Sequence, residues 1–191
     1  MTAGELLLTV DGGGSKTDVC IVQAIGSETP KVLGRVRGGP TNLTSLGADV
    51  VIAEIARLLE RACSEANLKN CRFARAIVGL AGGGDRNACQ QVERWLIDGV
   101  CDKARVISDA ELILSVAESL APEGNAAIAL LVGTGSVTFF RGPKSLEVSR
   151  AGGWGPVLGD DGSGYWMGRA AIRRLLQTAD EGGEFGELSQ A

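Results

Sequence analysis

An aspartate, three glycines, a serine, a lysine and a threonine stand in a row at Asp11 to Thr17, between two stiff apolar runs. A phosphate needs backbone N–H donors pointing inward with no Cβ in the way. Glycine supplies both by tolerating positive φ, and successive amides of this kind form an anion-binding nest. The stretch is neither a Walker A loop nor a G-x-G-x-x-G turn opening a helix, because Thr17 stands where the third glycine would be and a strand follows. It reads as the turn of a β-hairpin. Asp11 ends the first apolar strand, a costly place for a carboxylate without a partner. A hydrated Mg²⁺ held by one or two carboxylates would supply one. The device recurs 121 positions later, where Gly133, Thr134, Gly135 and Ser136 repeat the Gly-x-Gly-Ser of Gly12 to Ser15 between apolar runs.

Other chemistry-bearing residues sit at element junctions. Asp109 ends a buried strand and begins a helix, where a helix N-cap is the commonest use of an aspartate. Asn42 follows Pro40 in a turn, which is itself an ordinary place for asparagine. Gly152, Gly153, Trp154, Asp160 and Asp161 share one glycine-rich loop. A tryptophan among glycines has little to pack on locally, so it either covers a ligand face or plugs a domain junction. Gly82, Gly83 and Gly84 are either a further cleft loop or a helix-entry turn.

These residues need elements to hold them. Apolar runs and alternation predict strands over 5–10, 18–24, 31–37, 73–80 and 104–108. Helical spacing predicts helices over 45–66, 85–100 (with Asp85 as cap) and 110–120. That order, βββαβαβα, implies a mixed sheet with helices on its faces. The pattern then restarts, with strands over 126–132, 137–141 and 146–149, a glycine-rich loop, a helix over about 163–178 and a loose tail. The expected division is a first domain at 1–122 and an incomplete second one at 123–191.

Composition narrows the class. The 191 residues are 45% hydrophobic, enough for a core, and few are aromatic. The net charge of −4 argues against nucleic acid or an anionic membrane as the main partner. No apolar run approaches the ~20 residues that span a bilayer, and the first residues lack a secretory signal. Five cysteines with no C-x-x-C and no histidine argue against a zinc site, and buried or idle free thiols in a reducing cytoplasm are expected. The sequon at Asn42 to Thr44 is then a chance match.

The opening "DGGGSKT", the later "GTGS" and the twice-begun element order resemble the sugar kinase–actin–Hsp70 superfamily. Within it, "GGPTN", "ISDA" and above all "GGWGPVLGDDGSGYWMGRAAI" resemble the N-acetylglucosamine kinases and the related BadF/BadG-type ATPases. The resemblance implies ribonuclease-H-like (actin-like ATPase) domains with ATP and sugar in the cleft between them, and it covers about the first half of the family's length. It implies ATP and Mg²⁺ as cofactors, with Asp11 at the metal. Gly12, Gly13, Gly14, Ser15, Lys16 and Thr17 match the first phosphate loop, and Gly133, Thr134, Gly135 and Ser136 the second. The resemblance makes Asp109 the base that takes the proton of the sugar 6-hydroxyl. It places Asn42, Gly152, Gly153, Trp154 and Asp160 on the sugar. Asp161 stands where the family usually has glutamate.

The activity so implied is ATP-dependent phosphorylation of an amino sugar, N-acetylglucosamine first, in the cytoplasm. The alternatives are a BadF-type ATPase activator of a dehydratase, which requires cysteines paired for a shared iron–sulfur cluster, and a sugar-sensing remnant without turnover. No such cysteine pair is visible in the sequence. A chain with so short a second domain is expected to leave an open sheet edge and an uncovered apolar face, to turn over slightly at most, and to self-associate, as a homodimer for instance.

Overall fold

The computed structural model describes residues 4–26, 29–120, 125–143, 145 and 147–183. The chain separates into two compact units, Met1–Leu112 and Ile113–Ala191.

In the first unit, β1 (Glu5–Gly12), β2 (Thr17–Ala24) and β3 (Lys31–Gly38) form an antiparallel meander, and β4 (Phe73–Leu80) and β5 (Cys101–Ser108) add in parallel. The sheet order is β3-β2-β1-β4-β5. Period-two alternation selects the faces: Leu8, Val10 and Gly12 are buried while Thr9 and Asp11 are exposed. Two helices cover the buried face. They are α2 (Ala48–Glu65), through Val51, Ile55, Leu58 and Ala62, and α3 (Arg86–Gly99), through Cys89, Val92 and Leu96. This face is the core of the unit, with Phe73, Val78 and Leu80 at its centre. Burial of that apolar area is the main stabilising term.

Several boundaries differ from the sequence expectation. The helix expected over 45–66 is two helices, α1 (Leu43–Leu46) and α2, separated by Gly47 at φ +79°. The Asn42 side chain caps α1, and the glycine lets the chain turn before α2 begins. Strand β1 runs on through Asp11 and Gly12. Strand β5 begins at Cys101 rather than 104, because Cys101 pairs with Phe73. The polar Asp102 and Lys103 obscured that start in the apolar pattern. Asp85 is the N-cap of α3, as expected, accepting from the Asn87 and Ala88 amides.

Helix α4 (Asp109–Leu120) follows β5 directly, and the division between units falls inside it. In the second unit, β6 (Ala127–Val132), β7 (Ser136–Arg141) and β8 (Ser149–Gly152) form an antiparallel sheet in that order, and α5 (Gly164–Asp180) follows. The third strand thus sits three residues later than expected; Leu146, its expected start, lies outside the described residues, as does the tail from 184. A small core gathers Leu114, Ala127 and Ala129 with Phe139 and Leu131. The opposite sheet face carries Ile128, Leu130 and Val132, all exposed.

Candidate active site

The parallel strands β1, β4 and β5 end together, and ligands of open α/β sheets gather at such carboxyl ends. Here β1 delivers Asp11, and β5 delivers Ser108 and the start of α4 with Asp109. Between them lies β4, whose Gly79 is the Cα partner of Asp11. A Cβ on Gly79 would overlap the Leu112 side chain and meet the Asp109 Cα at 3.5 Å. The missing side chain therefore lets α4 lie against the sheet beside Asp11. Nothing in the sequence marked Gly79 for this role; it reads as one small residue in an apolar strand.

Asp109 is half-buried, and its Oδ1 accepts from the Ala110 amide at 3.0 Å. The capping bond of α4 comes instead from Ser108, whose Oγ accepts from the Glu111 amide at 3.3 Å. The capping reading thus passes to Ser108. Burial pushes the Asp109 carboxyl above its usual range; the Ala110 amide opposes this, and the nearby Asp11 charge adds to it. A carboxylate with raised proton affinity is a better general base than a fully hydrated one.

Asp11 itself is exposed, which corrects the expectation of a carboxylate starved of solvent at the end of a buried strand. Asp11 lies on the face opposite the one that α2 and α3 cover. Its cross-strand neighbour Asp18 is engaged by Arg37, with Nε to Oδ2 at 3.1 Å, and by Arg35 at 3.3 Å. For Asp18, partial burial works against ionisation, but the Arg37 and Arg35 guanidinium groups outweigh it and hold the carboxyl below its usual range.

The first glycine turn divides its labour. Gly12 is buried because a Cβ there would overlap Thr41 and Leu80. The Gly13 N–H donates to the Lys16 carbonyl at 2.8 Å, closing the hairpin. Thr17 is wholly buried, its hydroxyl donating to the Gly39 carbonyl at 2.7 Å and meeting the Thr41 hydroxyl at 2.8 Å. Gly12 and Thr17 therefore fasten the turn and do not reach its outer surface. The amides of Gly14 and Ser15 have no partner among the described residues, and Lys16 is exposed beside them.

Asn42 lies next to this turn, its Nδ2 4.0 Å from where a Gly14 Cβ would stand. Its Oδ1 accepts from the Thr44 and Ser45 amides at 3.0 and 3.2 Å, so the capping bonds fix the side chain and leave the NH₂ without a partner among the described residues. The 81–84 turn supports it. Gly82, at φ +76°, has Asn42 Oδ1 2.8 Å from its missing Cβ, and Gly83 abuts the Ile107–Ser108 backbone. Gly84 faces open space and leads into the Asp85 cap. The turn thus leads into α3, the helix-entry reading.

In the second unit, the Gly133–Gly135 turn is tied to the start of α5. The Gly164 amide donates to the Gly133 carbonyl at 2.8 Å and the Tyr165 amide to the Thr134 carbonyl at 3.3 Å. The Thr134 and Gly135 amides have no partner among the described residues. The Ser136 hydroxyl donates to the Asp161 carbonyl at 2.7 Å. Asp160 adopts φ +60°, unusual for a non-glycine residue. This aims its carboxylate at Gly135, with Oδ2 2.7 Å from the missing Cβ. The structure thus brings the second glycine turn and Asp160 together. Gly152 and Gly153, at φ +72° and +69°, carry the chain from β8 into this loop. Trp154 is exposed yet not unsupported, which corrects the sequence expectation. The Arg150 guanidinium lies 4.9 Å from its ring centroid, and a Gly159 Cβ would stand 3.1 Å from its Cβ.

All five thiols are free, as expected, and two of them meet. Cys63 and Cys71, eight positions apart, place their sulfurs 3.8 Å from each other. Their pairing depends on the turn after α2 and was invisible as a motif.

The family model for BadF/BadG/BcrA/BcrD ATPases matches residues 8–187. The chain belongs to this ATPase family. Among curated relatives, this BadF/BadG-type chain is 33% identical over 189 residues to the N-acetylmuramic acid/N-acetylglucosamine kinase of Clostridium acetobutylicum, covering 94% of the chain and 56% of the relative. It is 27% identical over 195 residues to the N-acetyl-D-glucosamine kinase of Dictyostelium discoideum, covering 97% and 59%. The chain thus spans somewhat over half the length of these relatives. Among solved structures, a Chromobacterium violaceum protein provisionally named an N-acetylglucosamine kinase superposes with a TM-score of 0.77 at 25% identity, over 97% of the chain and 62% of that protein. The ROK hexokinase of Thermus thermophilus shares the fold, with a TM-score of 0.57 at 20% identity over 93% of the chain and 69% of the hexokinase. These likenesses bear out the actin-like sugar-kinase architecture expected from the motifs.

Proposed function

We propose that the chain serves ATP-dependent phosphorylation of the 6-hydroxyl of an amino sugar, with N-acetylglucosamine as first candidate. The observation that carries this reading is Asp109, docked over Gly79 beside Asp11, with its proton affinity raised by burial and by that second carboxylate. Asp109 accepts the proton of the sugar hydroxyl late in the transfer, when the oxygen has begun to bond phosphorus. Phosphoryl transfer asks mainly for placement and charge neutralisation, so Asp109 also orients the attacking oxygen.

Asn42 offers its free NH₂ to the sugar, next to the turn whose Gly14 and Ser15 amides cradle phosphate oxygens; Lys16 adds positive charge there. Gly12, Gly13 and Thr17 act by holding that turn. In the second unit, the Thr134 and Gly135 amides serve a phosphate, and Ser136 fixes the turn to the 152–161 loop. Asp160 addresses sugar hydroxyls, with Gly152, Gly153 and Trp154 shaping that side.

Asp11 fits a Mg²⁺ site, because it is exposed, lies near a second carboxylate and directly precedes the first glycine turn, and Mg²⁺ commonly takes one or two protein carboxylates with water and phosphate. Bound there, the ion would neutralise phosphate charge. The relatives support the substrate class through the kinase names they carry. Among the described residues no helix is long and apolar enough to cross a membrane, and a cytoplasmic setting belongs to the same proposal. The test is sugar 6-phosphate formation from ATP across a panel of N-acetylglucosamine, glucosamine, N-acetylmuramate and N-acetylmannosamine. Transfer to N-acetylglucosamine at least matching the others is expected. No transfer to any of them in a full-length context would overturn the reading.

A further inference from the structure

The chain between α2 and β4 is built to present two thiols to each other. Helix α2 ends in a full Schellman motif. The Leu68 amide donates to the Cys63 carbonyl at 2.9 Å and the Asn67 amide to the Ser64 carbonyl at 3.1 Å, with Asn67 left-handed at φ +55°. A second left-handed residue, Asn70 at φ +49°, turns the chain back. The next residue but one, Arg72, then locks it. Its guanidinium meets the Asp102 carboxylate at 2.6 Å and donates to the Ile97 and Cys101 carbonyls at 2.8 and 2.6 Å. Cys63 is thus fixed from the helix side and Cys71 from the strand side, with their sulfurs 3.8 Å apart and both residues half-buried. Idle core thiols need no such contact. Cys89 and Cys101 are buried, and each points its sulfur at a backbone carbonyl instead.

We infer that Cys63 and Cys71 are a modification site, forming a reversible intramolecular disulfide that staples the end of α2 to the start of β4. The oxidant class is a peroxide. One thiolate attacks a peroxide oxygen and becomes a sulfenic acid, with release of water after protonation. The second sulfur attacks the sulfenic sulfur, the S–S bond forms, and the hydroxide leaves as a second water. Two thiols and one hydrogen peroxide give one disulfide and two waters, and the sulfurs supply both electrons. Burial first, then the proximity of Cys71, holds the Cys63 thiol up at about 11, so the reaction quickens as pH rises above neutral. The pair lies at the opposite end of β4 from Asp11 and Asp109, roughly 25 Å along an eight-residue strand. Its oxidation is therefore readable apart from any activity, and does not depend on the kinase reading.

The sequence supplies a direct assay. Trypsin cuts after Arg61, Lys69 and Arg72, releasing Cys63 and Cys71 on separate peptides, Ala62–Lys69 and Asn70–Arg72. The full chain is treated with hydrogen peroxide, alkylated, digested without reductant and analysed by mass spectrometry. The expected result is a linked pair of these two peptides, with the denatured chain losing two of its five free thiols and regaining them with dithiothreitol. Its unfolding temperature should rise by several degrees, because the closed loop restricts the unfolded chain. Cys63→Ser and Cys71→Ser should each abolish the link and the thermal shift. Retention of all five thiols, thiol loss without the linked peptide, or links that join separate chains would overturn the proposal.

Discussion

Asp109 lies beside Asp11 because Gly79 has no side chain: the residue paired with Asp11 across the sheet is the one on which the first turn of α4 rests. One carboxylate comes from a strand end and the other from a helix start. Their separation is set by a glycine that belongs to neither element.

In a full-length context, Asp109→Asn should remove nearly all phosphoryl transfer while leaving sugar binding close to wild type, as measured by 6-phosphate formation and calorimetry. Turnover within about tenfold of wild type, a barrier change of only about 1.4 kcal/mol, would reject the base role.

The same substitution should stabilise the fold at neutral pH. The folded-state affinity of Asp109 for its proton is raised, so the native state binds more protons than the unfolded chain once pH passes the ordinary carboxyl range. Stability then falls as pH rises through that window. Asn carries no such cost. The variant should therefore melt higher than wild type at pH 7, with the gap closing as pH drops below about 4, the ordinary aspartate range. An equal gap at pH 3 and pH 7 would assign the effect to packing instead.

Gly79→Ala places a methyl group where Leu112 and the α4 backbone now lie. Overpacking of this kind costs about 1–3 kcal/mol. The expected outcome is a folded protein of lower unfolding temperature, with turnover reduced further than the stability loss explains. An active variant of unchanged stability would show that α4 is not seated by this glycine.

Asn42 permits a separation of cap from ligand contact. Asn42→Asp keeps an acceptor for the Thr44 and Ser45 amides but removes the NH₂ donor. Sugar affinity should fall with little change in stability. Asn42→Ala should lose both, at a stability cost of about 1 kcal/mol. Calorimetry and thermal melts on the two variants check this; equal sugar affinity in wild type and the aspartate variant would remove Asn42 from the binding surface.

Gly135→Ala would set a methyl group against the Asp160 carboxylate, and the left-handed backbone of Asp160 leaves that side chain little freedom to step aside. Nucleotide and sugar affinity should both drop, because the second glycine turn, proposed to hold a phosphate, packs against Asp160. A loss confined to nucleotide would separate their roles.

Local pattern determined much of this protein by itself. Alternation and helical spacing are short-range consequences of burying one face, so the order of elements along the chain, the two passes and most of the long α2 were legible. The two glycine turns, Asp11 and Asp109 stood out because each interrupts or ends an apolar run at an element end, whereas Asn42 and Asp160 stood out through the motifs that resemble the family. Tertiary structure decided which of them face outward. That Asp11 is exposed, that Thr17 is spent on Gly39 and Thr41, that Ser108 rather than Asp109 caps α4, and that Gly79 seats that helix all depend on which strand lies beside which. The Cys63–Cys71 contact depends likewise on two left-handed asparagines and an arginine anchored across the sheet. Such pairings are set by the packing of distant segments, and no periodicity within one segment encodes them.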